Sequence, residues 1–220
     1  MRTKQTIAVI GATGNMGSAI SKSLARGNYR LLLIAGKPEE AKTLAKQIRK
    51  ENDAADVEGI ECSVEATWEA DIIIAAVPYA AEKAVAEKIR EKANQKIVIS
   101  ISNPLNSTYD GLVTSPDTSA AEELQKLLPN SKVVKAFNTT FAADFFTPVI
   151  DGKQVDAFIA GNDEEALKTV SELVSTAGFN PIIAGELQVS RTLENMQLLL
   201  IQIGLKNNYN WLAGWKILHN

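Results

Sequence analysis

The chain has 220 residues, 45% of them apolar, and a formal net charge of −3. That length holds one α/β domain, or a domain with an extension, and buries a proper core, while the slight acidity gives no support for a nucleic-acid partner. One cysteine, Cys62, excludes an intrachain disulfide and a cysteine-rich metal site and is compatible with a reducing compartment.

The first element is the most informative. The apolar run Ile7, Ala8, Val9, Ile10 ends in Gly11, Gly14 and Gly17, with Ala12, Thr13, Asn15 and Met16 between them, and residues 18–26 then suit a helix. A buried parallel strand feeding a tight turn and a helix produces this pattern. Gly11 permits the turn, Gly14 lets backbone approach a diphosphate, and Gly17 lets the helix pack on the strand. The free N–H groups at the helix start would face the phosphates. The spacing is GxxGxxG rather than GxGxxG, so a ligand-free strand–turn–helix corner is the competing reading. A strand this close to the start leaves no room for a signal peptide, and the apolar stretch 198–203 is too short to cross a bilayer. A cytoplasmic protein with no membrane partner is expected.

Strands and helices then alternate. Residues 30–35 read as a strand, and 38–51 as a helix with Leu44 and Ile48 at helical spacing. Residues 57–62 form a weak strand, 71–77 a strong one, and 79–93 an alanine-rich helix. Strands follow at 96–101 and 133–137, separated by an irregular stretch at 103–118 rich in Pro, Gly, Ser and Asp. Strand 157–160, helix 163–176 and strand 179–183 add one more unit, and 187–218 reads as a long helical region. The alternation predicts an α/β protein of Rossmann type, a doubly wound, mostly parallel sheet with a C-terminal helical extension. The expected division is a nucleotide-binding unit at 1–184 and a helical region at 185–220.

Ligands of such sheets lie beyond the carboxyl ends of the strands. After the second strand come Gly36 and Lys37, with Ala35 where an NAD site usually places an acid. Nothing there repels a 2′-phosphate, and Lys37 could pair with it, so NADP is favoured over NAD; a solvated turn lysine is the alternative. Ala76, Val77, Pro78 and Tyr79 follow the fourth strand and would pass near the ribose and nicotinamide. Tyr79 and Lys83 also spell YxxxK, but too early in the chain for the catalytic pair of short-chain dehydrogenases. Ser102, Asn103, Pro104 and Leu105, and then Ala136, Phe137 and Asn138, supply small polar groups at two further strand ends, where capping and turn chemistry is the competing reading. No histidine or cysteine cluster suggests a metal, and His219 lies beside the chain end.

Several strings together carry a family resemblance. They are residues 10–17, Ala75-Ala76-Val77-Pro78, Ser102-Asn103-Pro104-Leu105, Val133-Val134-Lys135-Ala136-Phe137-Asn138-Thr139, Gly161-Asn162-Asp163, and Ala184-Gly185-Glu186-Leu187 with Arg191-Thr192-Leu193-Glu194-Asn195-Met196. In order and spacing the chain resembles the coenzyme F420-dependent NADP oxidoreductases, and also the cytosolic domain of the ferric reductases called STEAP proteins. The resemblance implies hydride transfer between NADP and a small-molecule acceptor, F420, FMN or FAD, with both rings stacked in one cleft. It implies that Thr13, Gly14, Asn15 and Met16 hold the diphosphate. Gly36 and Lys37 stand where the family commonly has Ser-Arg, which loses a hydroxyl and a bidentate guanidinium. The segments at 76–79, 102–105 and 136–138 would surround the two rings.

Such a transfer relies on positioning and water exclusion, so no side chain is assigned as acid or base. Leu193, Met196, Leu200 and Ile203 recur at helical spacing, Leu198, Leu199 and Ile201 fill other faces, and Trp211 and Trp215 lie four apart. A helix apolar all round must be buried, either on its own sheet or, as the resemblance implies, in a homodimer. Two other readings are an NADP-binding sensor of NmrA type without turnover, and a β-hydroxyacid or imine reductase. The latter usually needs a catalytic Lys or Asp on the long helix, where Lys206 is the only lysine in the early part.

Overall fold

The computed structural model describes residues 4–219. The first half alternates without interruption: β1 (Gln5–Ile10), α1 (Asn15–Leu24), β2 (Tyr29–Ile34), α2 (Pro38–Glu51), β3 (Asp56–Gly59), α3 (Ser63–Glu69), β4 (Ile72–Ala75), α4 (Tyr79–Ile89), β5 (Ile97–Ser100), α5 (Ala120–Leu127) and β6 (Lys132–Lys135). A small hairpin, β7 (Val149–Ile150) and β8 (Lys153–Gln154), precedes β9 (Asp156–Gly161), α6 (Glu164–Thr176), β10 (Asn180–Gly185) and α7 (Ser190–Asn207).

Eight strands form one sheet in the order β3-β2-β1-β4-β5-β6-β9-β10. All neighbours run parallel except β6 and β9. Side chains alternate across the pleat. Ile7, Val9, Leu31, Leu33, Ile72 and Ile74 pack under α1, α2 and α6, while Ala8, Ile10, Leu32, Ile34 and Ile73 pack under α3, α4 and α5. A sheet covered on both faces needs near-continuous apolar strands, which explains runs such as Ile72-Ile73-Ile74-Ala75.

The two helices that the apolar pattern did not mark, α3 and α5, are short. Ser119 starts α5 by accepting from Glu122 N at 3.2 Å.

The C-terminal segment corrects the expectation of one helix over 187–218. The helix α7 ends at Asn207, because Asn208 turns left-handed (φ 58°, ψ 47°) and the N–H groups of Asn208 and Tyr209 both close on Gly204 O. Residues 208–219 return as a non-helical tail. Asp156 N donates to Trp215 O at 2.9 Å, and the buried Asp156 carboxylate accepts from Lys216 Nζ at 2.7 Å and Ile217 N at 2.6 Å. Trp211 and Trp215 therefore form no helical stripe. Trp211 packs edge-on against Phe141 (5.5 Å between ring centroids), and Trp215 borders the cluster around Leu200 and Ile201. The helix is not buried all round either, since Leu199 and Leu205 are exposed. Among the described residues, no helix is long and apolar enough to cross a membrane.

Candidate functional site

Five strands end together. The register pairs Ile34 with Ile10, Ile10 with Ala75, Ala75 with Ser100, and Ser100 with Lys135. The residues one step past this row, Ala35, Gly11, Ala76, Ile101 and Ala136, open the segments singled out from the sequence, so all of them share one edge of the sheet. The chain reverses its direction of travel between β1 and β4, the crevice where open α/β sheets hold ligands.

The glycine turn is built for that crevice. Gly11 has φ +86°, and a Cβ there would lie 2.2 Å from Ala76 O. Its N–H and that of Ala12 both donate to Ile34 O at 2.9 Å, clamping the turn between β2 and β4. A Cβ on Gly17 would lie 2.2 Å from Gly11 O, so this glycine sets how closely α1 approaches the turn. Gly14 differs: a Cβ there meets only Gly11 O, at 3.4 Å, and the residue is exposed. It opens α1 with no side-chain cap, which leaves the leading N–H groups of the helix without a side-chain acceptor beside Thr13, Asn15 and Met16.

Past β2, an added Cβ on Gly36 would meet nothing within 4 Å. The Lys37 side chain is 82% exposed, with Nζ 3.2 Å from a Glu40 carboxylate oxygen. Past β4, Ala76 and Val77 are half-buried, and Pro78 caps α4. The Tyr79 hydroxyl donates to Glu123 Oε2 at 2.5 Å. Burial, and then that carboxylate, push the phenol up to about 12, away from the ionised form that a YxxxK mechanism needs; Lys83 is exposed.

The remaining segments interlock. Asn103 Nδ2 donates to Asn138 O at 2.8 Å, and Asn138 Nδ2 donates to Asn103 Oδ1 at 2.9 Å and to Leu193 O at 3.1 Å. Ser102, Pro104, Ala136, Phe137 and Asn138 are buried, whereas Asn103 and Leu105 are half-buried. Phe137 is fully buried, in contact with Phe145, at a positive φ of 60° that a bulky residue rarely adopts. Ser102 Oγ and Asn138 Oδ1 are buried without a hydrogen-bond partner. Buried polar atoms of this kind call for a ligand or water.

Three charged residues here were given no role from sequence: Glu82 on α4, Lys135 on β6 and Glu194 on α7, all buried. Lys135 Nζ lies 2.6 Å from Glu194 Oε1, and Ser100 Oγ stands 3.5 Å from Glu82 Oε1. Burial pushes the Glu82 carboxyl up to about 7; nearby Lys135 opposes the shift, and Glu194 and Glu123 add to it. The available signal was a charge inside an apolar run, Lys135 after Val133 and Val134, and Glu194 after Leu193. Among the described residues no cluster of His, Cys, Asp or Glu could hold a metal.

A family model described as NADP oxidoreductase, coenzyme F420-dependent, matches residues 6–104. The chain is 36% identical over 214 residues to the F420-dependent NADP reductase of Methanocaldococcus jannaschii, covering 91% of this chain and 92% of that one. It is 28% identical to human metalloreductase STEAP2 over 91% of this chain and 37% of that protein. A crystal structure from Arthrobacter sp. FB24, provisionally named an F420-dependent NADP-reductase, superposes with a TM-score of 0.80 at 26% identity, over 98% of this chain and all of that one. The named relatives are enzymes, which sets aside a sensor without turnover. The chain belongs to the F420-dependent NADP reductase family and is an NADP-dependent oxidoreductase.

Proposed function

We propose that this protein passes hydride directly between NADP(H) and the deazaflavin ring of F420, with both rings held at the carboxyl edge of the sheet. The observation that carries the reading is the common row of five strand ends, with a turn shaped by Gly11 and Gly17 at one end and the interlocked Asn103 and Asn138 at the other. The residues present fit both groups. The open face of Gly14 and the uncapped start of α1 suit a diphosphate. The unpartnered Ser102 Oγ and Asn138 Oδ1 suit the polar rim of a ring.

On this reading Thr13, Gly14, Asn15 and Met16 hold the diphosphate on the turn that Gly11 and Gly17 shape, and Gly36 and Lys37 hold the 2′-phosphate. Ala76, Val77, Pro78 and Tyr79, then Ser102 to Leu105 and Ala136 to Asn138, wall the rings. NADPH supplies the hydride when bound; the chain orients the two rings and excludes water. Residues 1–184 serve as the nucleotide-binding unit. Residues 185–220 provide the contact with a second copy, a role supported by the exposed Leu199 and Leu205 on α7. The single cysteine fits a cytoplasmic site of action.

Titration with NADPH and NADH, followed by an acceptor panel of F420, FMN, FAD and ferric chelates, tests the reading. Preferential NADPH binding and reduction of F420 are expected. Turnover with only FMN, FAD or ferric chelate overturns the acceptor, and equal affinity for NADH overturns the role of Lys37.

A further inference from the structure

The buried pair Lys135–Glu194 lies outside the nucleotide corner yet reaches the loop after β5. Lys135 Nζ donates to Ser102 O at 2.5 Å as well as to Glu194 Oε1 at 2.6 Å. Both side chains are 0% exposed. The second Glu194 oxygen accepts from Ala120 N at 3.2 Å, the first residue of α5. The neighbouring Leu193 offers its carbonyl to Asn138. Two charges therefore join the end of β6, the start of α5, the helix α7 and the loop that carries Ser102 and Asn103.

Packing alone gives little reason for this arrangement. Burying two ions is costly, and an apolar pair of similar volume often holds a fold as well or better. What an apolar pair cannot do is donate to a buried loop carbonyl. Ser102 lies two residues past the last β5 ladder position, so its carbonyl has no strand partner and takes the ammonium instead. Lys135 thereby fixes the stem of the loop whose next residue, Asn103, is locked to Asn138.

We propose that Lys135, held in place by Glu194, is a positioning residue for the acceptor side of the hydride-transfer site: it fixes the 102–105 loop through the Ser102 carbonyl and ties it to α7. The identity of the ring so positioned rests on the function proposed above; the loop anchoring does not.

The double variant Lys135→Met/Glu194→Gln separates positioning from stability. Lys135→Met alone strands a buried carboxylate and lowers Tm, whereas the double variant removes both charges and recovers most of that loss. In the double variant the NADPH Kd should stay within about twofold, amide exchange over residues 102–106 should speed up by about tenfold or more, and kcat/KM for the acceptor should fall by about tenfold. Faster exchange with unchanged kcat/KM, or a fallen kcat/KM with unchanged exchange, overturns the proposal, as does no change in either. If the double variant does not fold, Lys135→Gln/Glu194→Gln, which leaves no unpaired charge and keeps both positions polar, is read by the same two measurements, with smaller changes in the same directions expected. If wild-type protein fails to reduce F420, the proposed function falls, and the Lys135 test proceeds with whichever acceptor the panel identifies.

Discussion

The two ends of the strand-end row are built on opposite principles. At the β1–β2 end the surface is open and made of backbone: Gly14, Asn15, Gly36 and Lys37 are exposed, and the turn is defined by where side chains are missing. At the β5–β6 end Ser102, Lys135, Asn138 and Glu194 are buried, and position is set by side-chain hydrogen bonds and one ion pair. A diphosphate carries its own charge, so N–H groups and space suffice to receive it. A planar ring offers less to grip, so its walls must be rigid and supported from behind. Damage to the two ends should therefore differ in kind.

The largest effects are expected within the glycine turn, and they divide it. Gly17→Ala pushes a Cβ to 2.2 Å from Gly11 O, a backbone atom that cannot swing away. It should cost about 3 kcal/mol or more of stability, read by urea unfolding. Gly14→Val meets nothing closer than 3.4 Å at its Cβ and should leave Tm nearly unchanged. On the proposed reading it fills the space the diphosphate would take, so NADPH Kd should rise about 100-fold, roughly 2.7 kcal/mol. Intact binding in Gly14→Val would place the diphosphate elsewhere.

The same contrast decides what was legible in the sequence. Missing side chains are visible as glycines, so the turn, its strand and the parallel sheet could all be read from residues 7–17 and the apolar runs that follow. Buried charges are not visible in this way. Lys135 and Glu194 are 59 residues apart and become partners only when β6 and α7 meet, a contact no local pattern encodes. The tail failed for a related reason. Leu212, Trp215 and Ile217 continue an apolar spacing compatible with helix, but the asparagines at 207, 208 and 210 and the tertiary pull of Asp156 on Lys216 and Ile217 override it. The helix α5 was missed because its apolar face is short, although Ser119 and Glu122 spell a helix start.

The buried end should also respond to pH. The Glu82 carboxyl is pushed from 4.5 up to about 7, chiefly by burial, so the folded protein holds this proton more tightly than the unfolded chain. That contribution to stability is complete below pH 4.5 and is lost as pH rises through 7. Glu82→Gln removes the titration. Relative to wild type, the variant should gain stability from pH 5 to pH 8, by at most about 3 kcal/mol, measured by denaturant unfolding at each pH. A constant difference across that range would mean that Glu82 is charged throughout and that the cluster with Lys135 and Glu194 is balanced in another way.

The smallest effects belong to the open end. Lys37 stands beside the proposed 2′-phosphate position, but its ammonium already contacts the Glu40 carboxylate at 3.2 Å, and both side chains are at least half exposed. An incoming phosphate must compete with that carboxylate, and water screens both partners. Lys37→Ala should weaken NADPH binding by roughly fivefold, and Glu40→Gln should strengthen it by roughly twofold, with NADH affinity unchanged in both. High salt should shrink both differences, because the charges lie at the surface. An equal loss of NADPH and NADH affinity in Lys37→Ala would assign the lysine to the diphosphate. A Glu40→Gln variant that binds NADPH more weakly would make the carboxylate a support for Lys37 rather than its competitor.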